Sequence, residues 1–498
     1  MFVLIRFHII RFIRRKEKPS VKNNPLIKRL LSTVVVCCRL LSGMFLNINN
    51  VIKTIQQFKL FVIFAFSKSE SMIKKIYKFG GASVKDADAV RNLAQIVSQH
   101  KDEDILLVVS AMGKTTNALE KALANFREHE GQLGMEALHE VIAYHDGIIN
   151  GLFGEDANPE FGENIAGLFI ELWEKLQKTD TPYDYQYDQT VCYGELISTS
   201  IIHEYLSKCE IPTRWLDARK YVIAEDEARF RAANPDWDET RLRISKLNDE
   251  HIRGIVCLTQ GFIGGTADGK HSVTLGREGS DFTAAIFANC LDAEEVTIWK
   301  DVDGLLNADP KRFADTVKIP HIPYSEAIEL AFYGATIIHP KTIKPLQNKG
   351  ITLKVQSFLN PDHEPTLIDG GHKKNDESIP SYIVKDNQTL VSISPRDYSF
   401  MDERNLKTIF AVCADLNIHA NMIQTSALML SFCFDSNEQK LKQLRASLKE
   451  DFSIKYNEGL QLFTIRHYQD GLEQDFIKGK KVLVKQSSRS TMQFVLSV

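Results

Sequence analysis

From Met72 onward, short apolar runs alternate with longer mixed stretches. Ile73–Phe79 reads as a strand, and Asp104–Ser110 (DILLVVS) is a continuous apolar run, the pattern of a strand buried on both faces. Asp86–Gln99 between them reads as a helix, with Asp86 placed as its N-cap. Helical stretches continue to about Lys178 and return at Gly194–Leu206. Strands are predicted at Thr213–Leu216, Ile255–Gly261, Ser272–Leu275, Glu295–Trp299 and Thr352–Val355. Helices at Asp281–Leu291, Ser325–Phe332 and Pro340–Lys349 separate the later ones. This alternation predicts an α/β body whose mostly parallel sheet is covered by helices on both faces. Such sheets bind ligands at the carboxyl ends of their strands, so the loops there are where chemistry is expected.

A polar stretch with Pro and Gly, NPDHEPTLIDGGHKKNDESIP, begins at Asn360, and residues 361–384 read as a linker. Behind it, 385–498 form a smaller α+β region. Its predicted order is a strand at Thr389–Ser394, a helix at Glu403–Leu416, strands at Ala420–Thr425 and Leu428–Phe434, and a helix at Glu438–Leu448 capped by Asn437. Ile454–Tyr456 or Leu460–Arg466 would complete it.

The chain has 498 residues and a formal net charge of −3. That value hides an asymmetry: residues 1–71 carry 13 Lys/Arg against Glu17 and Glu70, a net of +11, so the remainder carries −14. A body of that charge does not suggest a nucleic-acid binder. The apolar stretches of 1–71 are broken by Arg6, Arg11, Arg39 and Lys59 and are too short for a membrane span. A surface anchor, a presequence and an extension from an early start codon all fit this segment. The last is favoured, with the functional enzyme expected over 72–360 plus the tail. Eight cysteines without a CxxC pair read as reduced residues of a cytoplasmic protein, with no metal site.

Five segments carry candidate chemistry, each with a plain structural alternative. KFGGAS at 78–83 sets Lys78 at a strand end before the pair Gly80 and Gly81, with Ser83 following. That suits phosphate, since glycines let N–H groups approach an oxyanion and Lys adds a point charge; a tight turn explains it equally. Gly113-Lys114-Thr115 resembles the end of a P-loop, but Val108 stands where the P-loop needs glycine. Its segment, SAMGKTTN at 110–117, reads as a strand-end loop with hydroxyls toward a ligand, or as a capping turn. GELIST at 194–199 places Glu195 near a helix start, where a single Glu is usually solvated or favoured by the helix dipole. TLGREGSD at 274–281 joins Arg277, suited to a planar carboxylate, to Asp281, which could be only a cap. WKDVDGLLNADP at 299–310 could hold a nucleotide or be a turn.

In this order the segments, with GATIIHP at 334–340, resemble the amino-acid kinase family, and within it the aspartate kinases. The tail resembles that family's ACT modules. The resemblance implies the amino-acid kinase fold and transfer of the γ-phosphoryl of ATP, with Mg²⁺, to the side-chain carboxylate of L-aspartate, opening lysine, threonine and methionine biosynthesis. It implies Lys78 and Asp281 as catalytic residues, Asp281 orienting Lys78. Arg277 would clamp the substrate α-carboxylate and Glu195 its ammonium, with Ser110, Thr116 and Ser280 adding hydrogen bonds. Gly80, Gly81, Ser83, Lys300, Asp301, Leu306, Lys311 and Thr336 would hold ATP. Asn421, Met422, Thr425 and Ser426 would form an effector turn for lysine or threonine, in a homodimer joined through ACT modules. Four positions depart from the usual pattern: Glu278 replaces a glycine, Lys300 a threonine, Leu306 an aromatic and Thr336 a lysine. The second ACT module looks truncated, its helix reduced to Gly471–Lys478. The alternatives are another amino-acid kinase or a non-catalytic, effector-binding regulatory chain.

Overall fold

A computed structural model describes residues 72–497 apart from 129–130, 226–228, 336–337 and 372–378. The extension expected at 1–71 and the ATP-side Thr336 lie outside the described residues, as does part of the expected linker.

Strand β1 (Lys75–Phe79) leads through a short turn of 3-10 helix into α1 (Ala87–Gln99). Asp86 caps α1 as expected, its carboxylate accepting from Ala89 N–H at 2.8 Å. Then come β2 (Ile105–Val109), α2 (Thr115–Glu128), α3 (Gln132–Phe153), α4 (Pro159–Leu176), α5 (Tyr183–Lys208) and β3 (Thr213–Leu216). The second half has α6 (Trp237–Glu250), β4 (Val256–Gln260), a hairpin of β5 (Ile263–Gly265) and β6 (Ser272–Thr274), and α7 (Gly279–Leu291). It ends with β7 (Glu295–Lys300), β8 (His321–Pro323), α8 (Tyr324–Tyr333), α9 (Pro340–Lys349), β9 (Thr352–Ser357) and β10 (Thr366–Asp369).

The strands of the main sheet lie in the order β3-β4-β2-β1-β7-β9-β10-β8. The first six are mutually parallel, and β10 runs antiparallel to β9. The interior strand β2 (ILLVV) is apolar throughout because both its faces are covered. Ile105, Leu107 and Val109 of β2 join the core under α1–α5, while Leu106 and Val108 join the core on the other face with α7 and α9. Strand order reverses about β1, with β2 on one side and β7 on the other. That opens a crevice at their carboxyl ends.

Three elements differ from the sequence reading. The predicted strand at Ser272–Leu275 lies in the β5–β6 hairpin, outside the main sheet. α5 starts at Tyr183, well before Gly194. Every residue from Gln186 to Thr199 is buried, so no polar stripe marks that part as helix. And Thr366–Asp369, inside the expected linker, pairs into the main sheet.

The tail contains β11 (Ser381–Pro395), α10 (Glu403–Asp415), β12 (Met422–Thr425), β13 (Leu430–Asp435), α11 (Glu438–Leu448), β14 (Phe452–Arg466), α12 (Gln474–Ile477), β15 (Lys481–Ser487) and β16 (Thr491–Ser497). Asn437 caps α11, accepting from Lys440 N–H at 2.9 Å. The strands form one antiparallel sheet, β12-β13-β11-β14-β16-β15. Ile454–Tyr456 and Leu460–Arg466, read as alternatives, belong to the single long strand β14, which carries Gly459 at φ +67°. Among the described residues no helix is long and apolar enough to cross a membrane.

Candidate active site

A cleft of ≈ 600 Å³ opens where β1, β2, β4 and β7 end. Lys78 is the penultimate residue of β1, in register with Val108 and Ile298 on its two neighbours. Its ammonium lies 2.5 Å from Asp281 Oδ1, and both side chains are buried. Asp281 is the third residue of α7, whose N-cap position is Glu278. The capping alternative for Asp281 is therefore set aside: its carboxylate is committed to Lys78.

The glycines earn their positions sterically. A β-carbon on Gly81 would fall 2.6 Å from Gly113 O and 2.9 Å from Ala111 O. Gly113, at φ +56°, donates from its N–H to Gly81 O at 3.0 Å. The two loops thus close on each other, and both line the cleft. Thr115 Oγ1 donates to Met112 O at 2.6 Å, whereas Thr116 and Asn117, in the first turn of α2, line the cleft.

Glu195 lines the cleft, and the expectation that it sits at a helix start is corrected. It lies in the middle of α5, fully enclosed. Burial pushes its carboxyl up to about 8, although the Ala111 N–H donated to Oε1 at 3.2 Å works in the opposite sense. Oε2 has no hydrogen-bond partner. A buried, half-satisfied carboxyl of this kind is suited to a cationic ligand group. Ser110 Oγ donates to Ser280 Oγ at 2.9 Å, joining the ends of β2 and α7 across the cleft.

Arg277 and Lys300 complete the anticipated lining. Arg231, Tyr187 and Phe262 also line the cleft and were not anticipated. Arg231 sits at φ +67°, its N–H donated to both oxygens of buried Asp188 at 3.1 and 3.0 Å. Its guanidinium lies 4.3 Å from the Tyr187 ring centroid and pairs with Glu120 at 2.8 Å. No motif marks Arg231; only its place in the fold brings it to the site.

The ATP-side expectations divide. Asp301 and Leu306 line a neighbouring cavity of ≈ 660 Å³ with Asp303, Lys318, Asn360 and His363. Lys311 lines neither cavity, and its N–H donates to Asp309 Oδ1 at 2.9 Å. Ser83 is turned away from the cleft: it is buried, and its hydroxyl donates to Trp299 O at 3.3 Å. Gly80 is beside the pair, since a β-carbon there would lie 3.3 Å from Lys78 Nζ.

In the tail, the expected effector turn is mostly the edge strand β12. Asn421 is engaged at both ends of its amide, accepting from Lys385 Nζ at 2.8 Å and donating to Gln388 Oε1 at 2.8 Å. Met422 points inward, packed with Leu390, Cys433 and Leu460, because alternate residues of a strand face opposite sides. Thr425 and Ser426 are exposed.

The sequence profile of the Amino acid kinase family matches residues 74–357, more than half of the chain. The chain belongs to the amino acid kinase family. Among members of this family, lysine-sensitive aspartokinase 3 of Escherichia coli is 31% identical over 364 residues, covering 72% of this chain and 78% of that protein. Aspartokinase 3, chloroplastic, of Arabidopsis thaliana is 29% identical, covering 75% of this chain and 67% of its own length. The chain spans only 41% of the bifunctional aspartokinase/homoserine dehydrogenase 2 of Zea mays, at 27% identity over 76% of the chain. A crystal structure of E. coli aspartokinase III in complex with aspartate and ADP superposes with a TM-score of 0.71 at 26% identity, covering 85% of this chain and 96% of that one. The likeness to that structure thus extends beyond residues 74–357 into the tail.

Proposed function

We propose that the chain is an aspartate kinase, moving the γ-phosphoryl of ATP onto the side-chain carboxylate of L-aspartate. The observation that carries this is the convergence in one cleft of the Lys78–Asp281 pair, Arg277 and the unpartnered carboxyl oxygen of Glu195. The relatives' names and the aspartate and ADP of the bacterial structure support it.

A side-chain carboxylate, with an unperturbed pKa of about 4, is already ionised near neutrality and needs no base. The obstacle is repulsion between it and the triphosphate, so positive charge and alignment do the work. A carboxylate oxygen attacks the γ-phosphorus while the bond to the bridging oxygen of ADP breaks, giving an acyl phosphate and ADP. Lys78 stabilises the charge on the transferring group, and Asp281 fixes the direction of its ammonium. Arg277 holds the α-carboxylate and Glu195 the ammonium; Ser110, Thr116 and Ser280 add hydrogen bonds. Gly80 and Gly81 bring N–H groups to the phosphates, and Asp301 and Leu306 border the cavity suited to the adenosine. One oxygen of the cleft suits Mg²⁺, since Glu278 Oε2 is buried without a hydrogen-bond partner. Bound there with ATP, Mg²⁺ would reduce the negative charge of the phosphates.

Glu195 yields a pH-dependent expectation. A carboxyl raised to about 8 is neutral in the free enzyme near pH 7 and becomes the anion an ammonium prefers only as pH rises. The KM for aspartate is therefore expected to fall between about pH 7 and 9. Glu195→Gln should raise KM by at least about tenfold and flatten that dependence. Steady-state titrations across pH check this, and a wild-type pH slope in the variant would refute the assigned role.

The acceptor is tested by a screen with ATP and Mg²⁺, trapping acyl phosphate as hydroxamate. Hydroxamate from aspartate alone is expected. Phosphorylation of a different amino acid would redirect the assignment within the family, and no acceptor at all would leave a regulatory chain. The reading extends to residues 72–360 as the catalytic unit and the tail as an ACT-type regulatory region that pairs two chains. The lysine-sensitive relative supports lysine as the effector to try first, with threonine second. The six cysteines among the described residues are all free thiols, which accords with a cytoplasmic setting.

A further inference from the structure

Glu278 stands where the family's usual pattern has glycine, and its backbone is left-handed, at φ 54° and ψ 28°. Glycine adopts that conformation freely, whereas a side chain with a β-carbon is strained there. The side chain gains nothing local in return. It makes no capping hydrogen bond to α7. Its Oε2 is buried, lacks any hydrogen-bond partner, and belongs to a residue lining the cleft. Lys78 is held by Asp281, and Oε2 accepts no hydrogen bond from Arg277. His339, within electrostatic reach, already uses Nδ1 to accept from Lys341 N–H at 3.1 Å.

A carboxyl oxygen without a partner, on a residue that lines a cleft receiving a polyphosphate, is suited to a cation shared with the phosphates. Mg²⁺ suits it, because that ion takes hard oxygen ligands and is commonly shared between one or two carboxylates and phosphate oxygens. Among the described residues no cluster of three or more His, Cys, Asp or Glu could hold a metal alone. The phosphates would have to supply the other ligands. We propose that Glu278 is a direct protein ligand of the divalent cation that enters with the nucleotide, an anchor that a glycine at this position could not provide. This rests on the kinase reading above.

The test is calorimetric titration of ADP into the full chain, once with excess Mg²⁺ and once with EDTA. In the wild type, Mg²⁺ is expected to tighten ADP binding. Glu278→Gln and Glu278→Gly should each lose about tenfold or more of that gain. Both should bind metal-free ADP more tightly than the wild type, because a repelling charge has gone. Glu278→Gly is expected to fold at least as stably as the wild type, since glycine suits the left-handed position. Mn²⁺ titrated with ADP and followed by electron paramagnetic resonance should show the same loss of metal affinity. An undiminished Mg²⁺ gain in both variants would overturn the assignment while leaving the kinase reading intact. A wild type that binds no ADP under either condition would overturn the kinase reading, and this assignment with it.

Discussion

Lys78→Ala is expected to lower kcat by about a thousandfold, with KM for aspartate changing much less, because the ammonium acts on charge that develops during transfer. The substrate's own charged groups are assigned to Arg277 and Glu195, which the substitution leaves in place. It also strands Asp281, buried 2.5 Å from the lost ammonium. Breaking a buried pair by removing one partner costs roughly 3–5 kcal/mol, while removing both charges is nearly neutral. The double variant Lys78→Ala/Asp281→Asn should therefore regain much of the lost stability and none of the activity. Thermal melts alongside initial rates separate the two effects. Turnover near the wild-type rate in either variant would sink the assignment of Lys78.

An equally large stability effect is expected at Arg466, far from the chemistry. It lies on β14 of the tail and grips Glu326 on α8 of the body with two hydrogen bonds, Nε to Oε1 at 3.1 Å and Nη2 to Oε2 at 2.6 Å. Nη1 donates to Thr491 Oγ1 at 2.6 Å, and His467 Nε2 lies 3.1 Å from Glu326 Oε1. Burial alone would raise the Glu326 carboxyl, but His467 beside it and the hydrogen-bonded Arg466 guanidinium outweigh that and hold the group at about 2. Arg466→Ala is expected to cost about 3–5 kcal/mol in urea unfolding, since Glu326 keeps only His467. The acid dependence gives a second readout. A carboxyl depressed in the folded state stabilises above its unfolded value, 4.5 here, and that stability is lost as pH falls toward about 2. The wild type should lose stability over that window, and the variant should show a shallower loss. Equal urea midpoints and equal acid slopes would show that the pair is not a fastening.

Much of the frame was legible because local pattern reports local environment. A continuous apolar run such as Ile105–Val109 marks a strand covered on both faces. Asp86 and Asn437 mark helix starts because their side chains satisfy N–H groups only a few residues away. The boundaries of α9 fell as predicted, between Pro340 and the glycine that ends it in a left-handed turn. The start of α5 was not legible, because a helix buried on every side has no polar stripe. Part of the expected linker is a strand, since Thr366–Asp369 takes its structure from β9 and β8 rather than from its own residues.

For the site, the sequence by itself determined which residue types were available and where chain turns would place them. Lys78 falls at a strand end before two glycines, and Arg277 and Asp281 fall at a helix start. Only the tertiary structure decided which of them meet. Parallel register puts Lys78 against Val108 and Ile298, and that brings its ammonium to a carboxylate about two hundred positions along the chain. Enclosure by the packed fold, not the residue itself, raises Glu195, and the fold alone delivers Arg231 to the cleft. Ser83 and Met422 show the converse, since fitting residue types at fitting positions face the core once the chain is folded. Propensity and periodicity are properties of neighbours in sequence, whereas charge pairing and desolvation depend on neighbours in space.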